Sequence, residues 1–219
     1  MRFKKLFVKV SFILLVASSF LSCSTQQNLG GFWGGDLAFS EFEVMTSNLL
    51  LESDSTFFYI NWPLQGAEAQ GYVGFWHVKD EILVLDGGKS LQLLLAPKAD
   101  KLELLDFEGK EVIGQKKLLL EKQIEGEITG KKFIATGRFH HFADASNFRF
   151  CGSDRSFTVA MTEEHVSAER MFLSLLESNP GEDLFIQALV SFQMLPKMDG
   201  GQSMQLIIHE LMDHISACD

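Results

Sequence analysis

The chain has 219 residues, with 19 Lys+Arg against 29 Asp+Glu and a formal net charge of −10, enough for one large domain or two small ones. Its 46% apolar and 22% charged residues exclude global disorder and fibre-like composition, and the acidic balance excludes a surface built to neutralise nucleic-acid phosphates. Twenty Phe and only four Pro call for real buried cores.

At the N-terminus, Met1 to Lys9 is basic and Val10 to Leu21 is apolar. That run is too short for a bilayer, which needs about 20 residues, but it suits the apolar centre of a secretory signal. Next come Phe20-Leu21-Ser22-Cys23-Ser24. A small residue followed by Cys at this point resembles the lipobox of bacterial lipoproteins, in which the Cys is diacylated and the chain is cut before it. Phe20 and Leu21 stand where Leu and a small residue are usual. Residues 1–22 are therefore read as a lipoprotein signal peptide, Cys23 as the lipidated residue, and residues 23–29 as a polar tether; a plain secretory signal with an incidental Cys is the alternative. Acyl chains at ~0.8 kcal/mol per buried CH₂ make such anchoring stable. By analogy with enteric sorting, Ser24 rather than Asp favours the outer membrane, facing the periplasm, with the inner membrane and the cell surface left open. Without residues 1–22 the chain keeps 15 basic against 29 acidic residues.

Residues 30–122 alternate short apolar runs with turn punctuation every 8–12 residues. Strands are predicted at 31–37, 47–52, 56–62, 72–78, 82–85, 91–96, 101–105 and 117–121, separated by Ser53-Asp54-Ser55, Lys79-Asp80-Glu81, Asp86-Gly87-Gly88, Ala99-Asp100 and Glu108-Gly109-Lys110. No 3.6-residue period is sustained, so the module reads as an all-β meander whose closure into a barrel would remove exposed edges. Residues 123–131 are polar with one Gly at each end of the motif Gly-Glu-Ile-Thr-Gly and read as a linker.

Residues 132–219 follow another order. Strands are predicted at 133–142, 148–151 and 156–161. Thr162 is a candidate N-cap with Glu163 and Glu164 in the first helical turn. Ala168, Phe172, Leu175 and Leu176 share one face, Asn179-Pro180-Gly181 stops the helix, and strands follow at 184–195 and 204–211. Three strands, a helix and two strands is the element order of an OB barrel, an order other small α+β folds share.

Gly137-Arg138-Phe139 through Ala143-Asp144-Ala145 to Phe148-Arg149-Phe150-Cys151 is similar to the Gly-x-aromatic…Ala-Asp-Ala…Phe-x-x-Cys stretch of the NlpE family of copper-resistance and envelope-stress lipoproteins. Gly31-Phe32-Trp33-Gly34-Gly35-Asp36-Leu37, Leu49 to Phe57, Trp76-His77-Val78 and Leu102 to Lys110 resemble its N-terminal domain in the same order. The resemblance implies a mainly β fold: a small lipocalin-like antiparallel barrel, then a C-terminal OB barrel with one helix. It also implies a disulfide between Cys151 and Cys218. The family's Cys-x-x-Cys, proposed for copper, is replaced here by Phe39-Ser40-Glu41-Phe42, so no metal ligands and no cofactor are assigned.

With Cys23 lipidated, two thiols remain in an oxidising compartment, and even arithmetic favours a bond; a free pair acting as a redox switch is the alternative. His209 and His214 are not a His-Glu-x-x-His zinc motif, being one residue too far apart for one helical face and of odd separation on a strand. His140 and His141 are strand neighbours and point to opposite faces. Met194, Met198 and Met204 are read as core or contact residues, and Trp33, Trp62 and Trp76 as barrel packing. No nucleophile–base pair, phosphate loop or paired carboxylates stand out, so no enzyme is expected. The expected role is envelope-stress or copper-stress signalling through a periplasmic sensor-kinase domain or another envelope protein. The alternative is a binding protein that carries a small apolar ligand or metal in the first barrel.

Overall fold

The computed structural model describes residues 28–40, 43–63, 67–112, 118–197 and 200–218. The signal peptide, Cys23 and most of the tether lie outside them, as do Glu41, Phe42 and Met198.

Eight strands make the first barrel: β1 (Gly31–Ser40), β2 (Glu43–Leu51), β3 (Thr56–Pro63), β4 (Gln70–Lys79), β5 (Ile82–Asp86), β6 (Gln92–Lys98), β7 (Lys101–Leu104) and β8 (Leu119–Gln123). Each pairs antiparallel with the next. β8 returns to β1, from Phe32 opposite Gln123 to Asp36 opposite Leu119, and the sheet closes without an open edge. Period-two alternation sends Leu83, Leu85, Leu93, Leu95, Leu102, Leu104 and Leu120 inward to join Trp33, Leu37, Leu49, Leu51, Phe57 and Tyr59. Eight strands enclose a space that such side chains suffice to fill. The Trp33 indole N–H donates to the Leu29 carbonyl at 2.9 Å. Turns hold by local chemistry: the Asp106 carboxylate accepts from the Glu108 and Lys110 N–H groups at 2.9 and 2.8 Å.

The second barrel comprises β9 (Phe133–Phe142), β10 (Ala145–Phe150), β11 (Ser156–Thr158), helix α1 (Glu163–Ser178), β12 (Leu184–Pro196) and β13 (Gln202–Ile215). β9 lies between β10 and β12, β11 pairs with β10, and β13 pairs with β12. Just past β11, Val159 bridges Leu206 of β13 in parallel, and the Ala160 N–H donates to the Leu206 carbonyl at 2.8 Å. The five strands thus close with the helix between the third and fourth, which is the OB arrangement. Thr162 caps α1, its hydroxyl accepting from the His165 N–H at 3.4 Å.

In the first barrel β2 begins at Glu43 rather than Ser47 and β1 runs on to Ser40; in the second, three predicted strands change their bounds by more than one residue. β10 begins at Ala145, because the two-residue Ala143-Asp144 turn, with Ala143 at φ +53°, puts Ala145 opposite Phe142 and Ser146 opposite His141. β11 ends at Thr158, where the chain leaves for the helix. β13 runs to Ile215, because two register shifts against β12 let it follow that strand around the barrel.

The barrels share a packed seam. β3 is buried on both faces: Phe57 and Tyr59 point into the first core, Phe58 and Ile60 into the second. The Phe58 ring meets Phe157 at 5.8 Å and Phe192 at 5.4 Å, both edge-on. Gly71 is required here, since a Cβ would lie 2.0 Å from the Phe133 ring. The Ile134 N–H donates to the Ala69 carbonyl at 2.7 Å, tying β9 to the approach of β4. Arg155 lays its guanidinium over Phe58 and Phe157 at 5.5 and 5.1 Å and pairs with Glu52 of the first barrel. The segment expected as a linker is docked rather than loose: Ile128 is buried, and the Gly130 N–H donates to the Phe192 carbonyl at 2.8 Å.

Candidate functional site

Two places in the second barrel concentrate chemistry. At its seam end, Cys151 follows β10 and Cys218 follows β13, and their sulfurs are bonded with Cα atoms 5.4 Å apart. Next to Cys151, Gly152 sits at φ +86°, where a Cβ would lie 2.0 Å from the Gly87 carbonyl oxygen. The backbone beside the disulfide therefore touches the β5–β6 turn of the first barrel, and only Gly permits that approach. A cleft of about 230 Å³ opens there, lined by Phe75, Arg138, Arg149, Asp154, Phe185 and the disulfide. Arg138 is held by Asp183, whose carboxylate oxygens accept at 3.0 and 2.9 Å.

At the other end of the barrel, under α1, four polar side chains meet. His141 of β9 and Ser146 of β10 are cross-strand partners, and His165 and Glu169 are one turn apart on one face of α1. The Ser146 hydroxyl lies 2.8 Å from His141 Nδ1 and 2.7 Å from His165 Nε2. The opposite ring nitrogens face Glu169: His141 Nε2 is 3.5 Å from Oε1, and His165 Nδ1 is 4.0 Å from Oε2. Burial pushes His165 below the ordinary His range, Glu169 pulling it back and His141 pushing it further down. Ser146 is 2% exposed, so its hydroxyl is not presented to a substrate.

This constellation is not visible in the sequence. His141 and His165 are separated by a turn, two strands and a helix cap, and only closure of the barrel brings them together. One signal was available: Ser146, Phe148 and Phe150 alternate inward along β10, which puts a polar hydroxyl on a face otherwise made of aromatic rings.

The other singled-out residues stay apart. His140 is exposed, edge-on to Phe172 at 5.2 Å. His209 Nε2 lies 2.9 Å from the Ser191 hydroxyl, and burial, then Lys132, pushes its pKa down; His214 is exposed. Met194 is exposed, and Met204 packs on the second core. Trp33 is buried, Trp62 packs at the seam under Lys131, and the Trp76 N–H donates to the Glu52 carbonyl at 3.0 Å. Residues 39–42 contain no sulfur or nitrogen side-chain donor, so they do not fit a Cu(I) site, which takes soft ligands. Among the described residues no helix is long and apolar enough to cross a membrane.

Comparison with known proteins finds the following similarities. Residues 129–217 match the NlpE C-terminal OB domain. The chain is 29% identical over 146 residues to "Lipoprotein NlpE" of Escherichia coli, an alignment that covers 65% of this chain and 60% of that protein. The crystal structure of the Cpx pathway activator NlpE from Escherichia coli aligns over 85% of this chain and 95% of that one, with 23% identity and a TM-score of 0.36.

Proposed function

From a chain that is NlpE-like and carries the NlpE C-terminal OB domain, we propose an envelope lipoprotein that signals envelope stress through protein–protein contact and performs no chemistry of its own. The observation that carries this reading is the match of residues 129–217 to the NlpE C-terminal OB domain, joined to the relationship with an Escherichia coli lipoprotein. In this reading residues 1–22 are the signal peptide, Cys23 bears the lipid and residues 23–29 form the tether. Residues 30–122 and 132–219 are the two working barrels, with 123–131 between them. The anchor holds the protein in the outer membrane, facing the periplasm.

The disulfide has a role in this scheme. It ties the chain end beyond β13 to Cys151 at the end of β10, and the residue after Cys151, Gly152, meets the first barrel. Failure to form that bond loosens the end of the second barrel and the seam beside it, which converts an oxidative-folding defect into an altered contact surface. Copper sensing through a Cys-x-x-Cys thiolate pair is not part of the proposal, because positions 39 and 42 are Phe.

The test is a transcriptional reporter. Overproduced in Escherichia coli lacking its own NlpE, the chain is expected to switch on a reporter of the Cpx pathway. A silent reporter, with the protein made and folded, would contradict the signalling role.

A further inference from the structure

We propose that His141, His165 and Glu169 form a binding site for one divalent transition-metal ion of the zinc class, with Ser146 as the residue that orients both imidazoles. Strand β9 and helix α1 supply the donors, and among the described residues this is the group of His, Cys, Asp and Glu side chains whose ligand atoms converge, all within 4.8 Å of one another. Two imidazoles and a carboxylate make a mixed N/O set that suits Zn(II) and disfavours Cu(I). Ligands about 2.0–2.2 Å from a tetrahedral ion stand roughly 3.3–3.6 Å from each other. The separations of 3.5 and 4.0 Å to Glu169 need only small side-chain shifts to reach that geometry.

The hydrogen bonding around Ser146 argues for a cation. A hydroxyl has one hydrogen and two lone pairs, and this one has an imidazole nitrogen on each side at 2.8 and 2.7 Å. With no cation, Ser146 donates to one ring and accepts from the other. The ring that donates to Ser146 then turns a bare lone pair toward the Glu169 carboxylate, lone pair against anion. A metal ion between them removes that conflict. Both rings then take the tautomer whose N–H donates to Ser146, and both free nitrogens face the ion. This is the outer-shell support that ligating histidines ordinarily have. Glu169, 30% exposed at its side chain, leaves the ion a route in and a position for water.

The helix makes the arrangement rigid. Thr162 fixes the backbone of His165 by accepting its N–H, and Phe139 packs edge-on to the His165 ring at 6.2 Å. His140, the neighbour on β9, points the other way and is not a ligand.

The test is titration of Zn(II) into the untagged, metal-stripped full chain in detergent, followed by calorimetry, with Co(II) absorbance reporting tetrahedral coordination. One equivalent is expected to bind. His141→Ala should abolish uptake, Glu169→Gln should weaken it roughly 10-fold or more, and Ser146→Ala should weaken it about 10–100-fold. His140→Ala should leave it unchanged. If His141→Ala does not fold, as judged by its melting curve, the partly exposed Glu169→Gln variant decides. Absence of stoichiometric uptake, or uptake of unchanged affinity in Glu169→Gln, would overturn the site.

Discussion

At the scale of single residues, burial sets the chemistry. Tyr59 lies inside the first barrel, where desolvation pushes its pKa from 10.0 up to about 12 despite the hydroxyl of Ser47 at 2.9 Å. The folded state holds that proton more tightly than the unfolded chain. Its contribution to stability is therefore present below pH 10 and is lost as pH rises toward 12. The chain has two Tyr, and burial raises Tyr72 as well. Alkaline titration followed by phenolate absorbance should show less ionisation at pH 10 than two free tyrosines would give, with one of the two phenols ionising only toward pH 12. His209 works the other way. Its folded-state pKa is lowered, so the unfolded chain takes up the proton first and stability falls once pH drops below the ordinary value of 6.5. His209→Gln should flatten the acid limb of a plot of melting temperature against pH. These environments were only partly legible in the sequence. Alternation placed Tyr59 inside a strand, but nothing local showed that His209 would meet Ser191 across a bulged pair of strands.

At the scale of elements, strand alternation and turn chemistry were enough to locate every strand of the first barrel. Asp, Gly and Ser punctuation forces reversals, and each run between reversals is too short and too regularly alternating to be a helix. The closure of β8 onto β1 follows from the sequence only as a way to remove exposed edges, and backbone pairing supplies it. What the sequence did not reveal was the double burial of β3. Phe57-Phe58-Tyr59-Ile60 reads equally well as a strand with one wet face, and only the second barrel makes Phe58 a core residue. Removing that ring leaves a cavity in the Phe157–Phe192 cluster. Phe58→Ala should cost about 3–5 kcal/mol, measured by urea unfolding, and should weaken the coupling between the barrels. The disulfide joins residues 67 apart in sequence. In the chain-entropy model a loop of that size is worth about 4 kcal/mol. Cys151→Ser should therefore lower the melting temperature of the second barrel markedly more than that of the first.

At the scale of the whole molecule, two barrels of different topology are held against each other by aromatic packing, the Arg155–Glu52 pair and the Gly87–Gly152 approach, all of which cross the seam. Reduction of the disulfide or loss of Phe58 would act at that seam, and in the proposed scheme this alters the surface that a partner reads. In the proposed scheme a lipid at Cys23 would set where such reading takes place. Cys23→Ala should shift the protein from the detergent phase to the aqueous phase on Triton X-114 partition, and a variant still retained with detergent would contradict lipidation at Cys23. The central claim is signalling by direct contact. Its most direct measurement is equilibrium binding of the purified chain to the purified periplasmic domain of the envelope-stress sensor kinase, by fluorescence anisotropy. A saturable one-to-one complex is predicted, altered in affinity when the disulfide is reduced, whereas no complex at any attainable concentration, in either redox state, would contradict the account.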